Sequence, residues 1–245
     1  MLAASAGAEE VVKQGALPDL SINIGGSDLS TDGTVSSTLK IVFLLTALTF
    51  APAMVLTMTC FTRIAVVLGM TRTALGTQSL PPNMVITGLA LFLTVAIMQP
   101  VYTEMYSAGI APYLEGQMGD KEALDKSLAP LKGFLLRHAR DKDIALFLEI
   151  TRSEVPEEEK DIPMTVAVPA FILSELNLAF QIGFLIALPF LVLDMVVSSV
   201  LTSMSMITLP PVVISLPLKL MLFVVVDGWH LIVNSVVQTY HVGGG

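Results

Sequence analysis

Four ionisable side chains lie in otherwise apolar sequence, and they are the first candidates for chemistry. They are Glu175, Asp194, Lys219 and Asp227. A charge in an apolar environment is costly, so such a group usually faces a protein interior or a water path and is paired. Two interpretations stay open at this point. The charges either hold the walls of a conduit in register, or only join the helices of an assembly.

The spacing of these charges favours one pairing. Lys219 and Asp227 are too far apart for contact on one helix, because eight residues correspond to about 12 Å of rise. A chain that folds back at a tip over residues 205–211 places Lys219 opposite residues near 197, within about one helical turn of Asp194. Glu175 then needs a second bend or a neighbouring subunit to find a partner.

The same tip contains a second candidate site. Methionine is flexible and polarisable and can close around irregular shapes, and the chain has 13 methionines. One hypothesis is a deformable apolar seal at a pore constriction formed by Met204, Met206 and Ile207. The alternative is that these side chains only pack against protein or contact lipid.

Catalytic and metal-binding motifs are missing from the sequence. It contains no GxxxxGK[ST] phosphate loop and no GxSxG elbow, and its three histidines lack the HExxH spacing. Cys60 is the single cysteine, so an intrachain disulfide or a cysteine metal cluster is excluded. We therefore expect no catalytic, cofactor-binding or metal site, no cofactor, and a protein that is not an enzyme.

Composition indicates a membrane-associated helical protein. Of the 245 residues, 53% are hydrophobic and only 14% are charged, against about 25% charged in an ordinary soluble domain. This predicts a protein in a membrane or assembled on one. The net charge of −8 makes nucleic acid a poor partner, because phosphate binding needs a basic surface.

The acidic charge is concentrated in two blocks. Residues 1–40 have a net charge of −3, residues 99–161 have −5, and the remainder is neutral. The short loop between the first two apolar runs contains Arg63 and Arg72 but no acid, so the positive-inside bias places it in the cytoplasm. Both acidic blocks then face the periplasm of a bacterium.

Hydrophobic patterning predicts an all-α integral membrane protein with broken, proline-kinked helical hairpins and a helical polar insertion. We divide it into an N-terminal tail with a polar tether at 1–38, a first apolar helical pair at 39–98, a polar periplasmic insertion at 99–161, and C-terminal apolar hairpins with a constriction loop at 162–245. The small-residue run at 2–8 is typical of the end of a signal peptide. A flexible tail is the alternative.

Prolines and glycines suggest where these helices end. We expect a kink or break at Pro52, a turn-rich connector over 69–82 and a helix that closes at Pro100. A helix over about 170–188 is expected to bend at Pro189 and to be followed by a helix to about residue 203, a tip at 205–211 and a last helix over about 216–240. Within the insertion, apolar residues at helical spacing predict helices over 121–128 and 131–150.

Several linked sequence blocks resemble the FliP family of flagellar type III export-gate proteins. The N-terminal blocks are MTCFTRI at 58–64, VLG at 67–69, ALGT at 74–77, PPN at 81–83 and GLALFLT at 88–94. The C-terminal blocks are PAFILSEL at 169–176, AFQIGF at 179–184, PFL at 189–191, PP at 210–211, LPLKLMLF at 216–223 and VDGW at 226–229. Their order and spacing hold over roughly residues 40–240, which makes the resemblance specific.

The resemblance implies a core subunit of the flagellar export gate, a non-enzymatic conduit for unfolded flagellar proteins in the bacterial inner membrane at the flagellar basal body. It also implies a cleaved signal peptide. The implied partners are a ring of about five copies of the chain itself, FliQ-like and FliR-like subunits, other export-apparatus membrane proteins, unfolded secreted substrates and lipid. In this family, helices that look like membrane spans largely build a cone above the bilayer plane.

The family also has a methionine-rich loop at the constriction, and the matching stretch here is 204–209. Relatives can have consecutive methionines before the double proline, whereas this sequence has Met206-Ile207-Thr208. The implied gasket role therefore falls on Met206 and more loosely on Met204. Two alternatives to a flagellar gate are a virulence-type secretion homologue and a small secondary transporter or ion channel whose pathway uses Glu175, Asp194 and Asp227.

Overall fold

A computed structural model describes residues 34–77, 80–153, 156, 158–206 and 209–241. The N-terminal tail up to residue 33, including the small-residue run, lies outside these ranges, and so does Ile207 of the proposed seal. Within them every regular element is a helix and no strand occurs, which confirms the all-α prediction. The α-helices are α1 (Thr34–Thr57), α2 (Phe61–Ala74), α3 (Asn83–Met105), α4 (Ala111–Leu114), α5 (Asp120–His138), α6 (Asp141–Thr151), α7 (Met164–Ser203), α8 (Pro211–Val225) and α9 (Gly228–His241).

Two compact units make up the chain, residues 1–51 and 52–245. The first contributes the apolar helix α1 as far as Ala51. The second contains the remaining helices, a π-helical turn (Tyr106–Ile110) that continues α3 into α4, and a 3₁₀ turn (Glu159–Asp161) before α7. All the candidate site residues that the structure describes belong to this second unit.

Long apolar helices dominate the described part of the chain. Three segments are long and apolar enough to cross a membrane, namely 40–57, 83–114 and 164–203. A fourth span results if α8 and α9, which meet at 64°, count as one broken helix. The prediction of membrane-spanning helices is therefore confirmed at the level of length and composition.

Prolines do not break the helices where the sequence suggested. Helix α3 continues through Pro100, and α7 is one helix of 40 residues that contains Pro169 and Pro189. The predicted connector over 69–82 is also wrong in its first part, since α2 extends to Ala74. A proline removes one backbone hydrogen bond, whereas a helix end leaves four carbonyls unpaired. Continuing the helix is therefore the less costly choice in apolar surroundings.

The break between α8 and α9 falls where no proline lies. Asp227 has a left-handed φ of 51°, and Gly228 follows with its α-carbon close to the ring of Phe223. A β-carbon on Gly228 would lie 2.2 Å from that ring, so glycine is required there. This turn corrects the prediction of a single helix over 216–240.

The core of the second unit forms where α2 packs against α7 and α3. Ile64, Val67 and Phe171 are fully buried in it. Gly183 permits the close approach of α7 to α2, because a β-carbon there would lie 2.4 Å from the sulfur of Met70. This contact brings the polar side chains of α2 and α7 within reach of each other.

The polar insertion packs onto this core as the apolar stripes predict. Phe134 and Leu135 of α5 belong to the same cluster as Phe171, while Leu148 of α6 packs with Val166 near the start of α7. Its helices end elsewhere than expected: α5 runs unbroken through 120–138 and α6 begins at Asp141.

Candidate functional site

A buried ion pair joins α2 to α7. Arg63 Nη2 donates to Glu175 Oε1, and the two residues are 2% and 0% exposed. Tyr240 of α9 donates its hydroxyl hydrogen to the other carboxylate oxygen. The Arg63 guanidinium lies 4.1 Å from the centre of the Tyr240 ring and donates through Nη1 to Thr239 Oγ1 over 2.9 Å. Three helices that are distant in sequence are thus fastened at one point.

Helical periodicity explains why both charges point inward. On α2, Arg63 lies beside the buried Ile64 and one turn before Val67, and on α7 Glu175 is one turn after Phe171. A charge on the core face of a helix must find an opposite charge there. The partner of Glu175 therefore comes from the same chain, and neither a second bend nor a neighbouring subunit is required.

This burial corrects the topology argument. Arg63 lies within helix α2 and is ion-paired in the core, so it is not a loop cation at a membrane surface. Only Arg72 remains near the connector, where it donates to the side chain of Asn83 and over 3.4 Å to the carbonyl of Pro81. Sequence reasoning missed the pair, although its signal was present: Arg63 is an isolated cation in apolar sequence, and Glu175 is an isolated acid.

A second polar cluster fixes α6 to α7. Asp143 Oδ2 accepts hydrogen bonds from Arg140 Nε (2.7 Å) and from Ser174 Oγ (2.6 Å). Ser174 Oγ also accepts from the backbone N–H of Arg140 over 2.9 Å. Burial acts to raise the pKa of Asp143, but the bonds from Arg140 and Ser174 outweigh it, so the pKa lies below its ordinary value. Since Ser174 precedes Glu175, the two clusters are neighbours on α7.

His138 links the polar insertion to the ion pair. Its ring lies 4.5 Å from that of Phe134 and 5.2 Å from that of Tyr240, measured between centres. Nδ1 donates to the carbonyl of Phe134 over 2.9 Å, since a carbonyl can only accept. Burial lowers the pKa of His138, and its Nε2 is buried without a hydrogen-bond partner among the described residues. The ring is therefore neutral at neutral pH.

Lys219 joins α8 to α7. Its Nζ donates to Asp194 Oδ2 over 2.6 Å and lies 3.4 Å from the carbonyl of Ala74 at the end of α2. This is the pairing that a fold-back at the 205–211 tip predicts. Lys219 is 7% exposed, whereas the side chain of Asp194 is 38% exposed. Asp227, expected to be buried, is instead exposed at the α8–α9 turn.

The described part of the tip exposes its methionines. Met204 and Met206 are 63% and 41% exposed. Between them Ser205 has a left-handed φ of 60°. The N–H of Met206 donates to the carbonyl of Leu201 and that of Ser205 to Thr202, each over 3.0 Å. This is the Schellman pattern that ends a helix, and it leaves both methionine side chains available for contacts outside the chain.

Metal ligands do not cluster in the described part of the chain, where no three His, Cys, Asp or Glu side chains could hold an ion. Cys60 is fully buried, and burial raises the pKa of its thiol to about 12. A thiol with such a pKa is neutral and unreactive at neutral pH. Cys60 therefore serves as a small hydrophobic residue.

These features define a class: an all-α membrane-type protein whose polar residues join helices in its interior. The family model described as FliP family matches residues 44–236. The chain belongs to the FliP family.

Curated relatives match over most of their length. The chain is 52% identical to the flagellar biosynthetic protein FliP of Bacillus subtilis over 89% of this chain and 98% of that protein. It is 45% identical to the FliP of Caulobacter vibrioides (92% of this chain, 84% of that protein). It is 39% identical to that of Aquifex aeolicus (91% and 92%).

Proposed function

We propose that this chain is a core component of the flagellar type III protein export gate and is needed for flagellum biogenesis. In this proposal it forms part of the conduit for unfolded flagellar proteins. The observation that carries the proposal is its membership of the FliP family, with 52% identity to a flagellar biosynthetic protein over nearly all of that protein. This favours the flagellar role over a virulence-type secretion role.

Exposed apolar surface supports a role inside an assembly. Helices α7 and α8 expose large apolar side chains along their length, among them Phe184, Met195, Val224 and Val225. Contiguous apolar surface of this kind is covered by lipid or by other subunits. The proposed partners are further copies in a ring of about five, FliQ-like and FliR-like subunits, other export-apparatus membrane proteins and lipid.

The proposed location is the bacterial inner membrane at the flagellar basal body, with the polar segments towards the periplasm. The cation Arg72, which lies at the end of α2 between the candidate spans 40–57 and 83–114, supports this orientation. A reporter enzyme active only in the periplasm, inserted after Gly119 in the insertion, should be active. A reporter inserted after Gly76 should be silent. The reverse pattern would overturn the orientation.

The main test is a deletion strain complemented with this gene. Deletion should abolish swimming and secretion of filament protein, and complementation should restore both. Purification with its genomic neighbours should give a large hetero-oligomer. A small homo-oligomer that moves a solute when reconstituted alone would favour a transporter or channel and contradict the proposal.

The methionine seal is proposed for Met204 and Met206 on the strength of their exposure at the tip. Replacing both with alanine should let small solutes leak through the assembled gate, measured as dye uptake by cells. Met221→Ala is the matched control, since Met221 is 62% exposed on α8 away from the tip. Unchanged dye uptake in the double variant would refute the seal.

A further inference from the structure

His138 is the last residue of α5, and its ring packs against the end of α9. It forms one aromatic cluster with Phe134 of α5 and Tyr240 of α9, whose own ring centres are 6.3 Å apart. The carbonyl of Phe134 holds Nδ1 in place. The polar insertion is therefore docked onto α9 partly through a side chain that can take up a proton near physiological pH.

A cation already lies at this cluster. The Arg63 guanidinium of α2 is 4.1 Å from the centre of the Tyr240 ring, against which His138 also packs. The carboxylate of Glu175 on α7 is shared between Arg63 and the Tyr240 hydroxyl. A proton on His138 would therefore place a second positive charge beside Arg63, next to an acid that is already engaged.

The other charges around the end of α5 do not compensate for that proton. Arg137 precedes His138 and adds a further cation. The only acidic or basic residue of α3 is Glu104, and its side chain is exposed. On α6, Asp143 is paired with Arg140. Burial, aided by the nearby arginines, outweighs the hydrogen bond to Phe134 and lowers the pKa of His138.

A buried neutral histidine couples acid to the undocking of the helix that contains it. When the end of α5 leaves α9, the ring reaches water and recovers its ordinary pKa of about 6.5. Because the docked pKa is lower, docking has its full stability above about pH 6.5 and loses it as pH falls from there towards the docked pKa. Over that window, undocking becomes up to about tenfold more favourable for each pH unit.

We propose that His138 is an acid-released latch: the neutral imidazole holds the end of α5 against α9, and protonation releases that end and uncovers Tyr240. Neither the family resemblance nor the proposed export role assigns such a latch. It follows from the packing of α5, α9 and α2, and it does not depend on what the protein transports.

Hydrogen–deuterium exchange of the full chain in detergent, corrected for the intrinsic pH dependence of exchange, tests the latch. In the wild type the protection of the Ala139 amide, which donates to the carbonyl of Leu135, should fall several-fold between about pH 7 and about pH 5.5. His138→Gln cannot be protonated in this range and should keep its protection. His138→Phe retains an aromatic ring and should behave in the same way, which keeps the test valid if the glutamine variant does not fold.

The matched control is His230→Gln/His241→Gln, because it removes the other two histidines of the chain and leaves His138 in place. It should show the same pH dependence as the wild type. Glu175 and Asp143 are unchanged in every variant, so an effect that arises from either carboxylate would persist without His138. The proposal is overturned if the fall in protection persists in a folded His138 variant, disappears in the control, or is absent from the wild type.

Discussion

Removing one member of the Arg63–Glu175 pair should destabilise the protein far more than removing a surface ion pair. Both residues are almost completely buried, so a charge left behind cannot reach water. Breaking such a pair typically costs about 3–5 kcal/mol. We expect this loss for Glu175→Leu, which leaves the Arg63 cation uncompensated and the Tyr240 hydroxyl without its acceptor.

Removing both charges should restore much of the stability. In Arg63→Met/Glu175→Leu no charge is left unpaired, and the remaining cost is the buried Tyr240 hydroxyl, about 1–3 kcal/mol. Adding Tyr240→Phe removes this hydroxyl and should recover that stability as well. No compensating substitution is needed at Thr239, because its hydroxyl still donates to the carbonyl of Val236. The two single changes are therefore expected to be strongly non-additive.

The assay is unfolding of the detergent-solubilised protein followed by the fluorescence of Trp229. It is the single tryptophan, and its ring packs edge-on against that of Phe223, with centres 5.2 Å apart. Glu122→Leu is the matched control, since Glu122 pairs with Lys126 at the surface and should contribute less than about 1 kcal/mol. The reasoning is refuted if Glu175→Leu costs no more than Glu122→Leu, or if the double variant costs the sum of the single ones.

Three further outcomes are expected. Lys219→Glu should reduce gate assembly and secretion, because it places two acidic side chains together. Adding Asp194→Lys should recover part of both. If Lys219→Glu leaves assembly and secretion intact, the pair neither holds a conduit in register nor joins helices of the assembly. Asp143→Asn should destabilise the protein at neutral pH by about 1–2 kcal/mol. Folding lowers the pKa of Asp143, so its contribution to stability is complete above the unfolded pKa of about 3.9 and is lost as pH falls through the folded pKa. The difference in melting temperature between Asp143→Asn and the wild type should therefore shrink in acid. A difference that stays constant with pH would contradict this. Ser205→Gly should increase the free energy of unfolding by up to about 1 kcal/mol and so raise the melting temperature, because glycine accepts the left-handed φ. A lower melting temperature would contradict the left-handed helix end at Ser205.

The hydrophobic pattern of the sequence predicted which segments are helical, but it predicted the ends of the helices poorly. The apolar runs and the stripes of the insertion predicted the all-α fold, including the burial of Phe134 and Leu135. The predicted helix end at Pro100 was wrong, and α7 continues as one helix through Pro189, since a single missing hydrogen bond is tolerated within a long helix. The turn at Asp227 does have a local signal, the Asp-Gly dipeptide, which the prediction of one helix over 216–240 left out.

The two interhelical ion pairs also differ in how far the sequence predicts them. Lys219 and Asp194 are connected through one fold-back, so spacing along the chain was enough to bring them together. Arg63 and Glu175 are separated by 112 positions, and nothing in their spacing selects this pair over others. Asp227 differs from Glu175 and Asp194 in being followed by glycine, and an Asp-Gly dipeptide is typical of a turn, where an acid is exposed.

Residue identity and order are enough to establish the class of protein, since the apolar composition, the concentration of charge in two blocks and the linked motif blocks all follow from them. Which charges meet depends on how the helices pack. Side-chain periodicity places Arg63, Glu175 and Tyr240 on the inner faces of α2, α7 and α9, but only the packing of these three helices makes those faces coincide. An ion pair forms only where two groups approach to hydrogen-bonding distance, and in this protein the helix contacts set that distance.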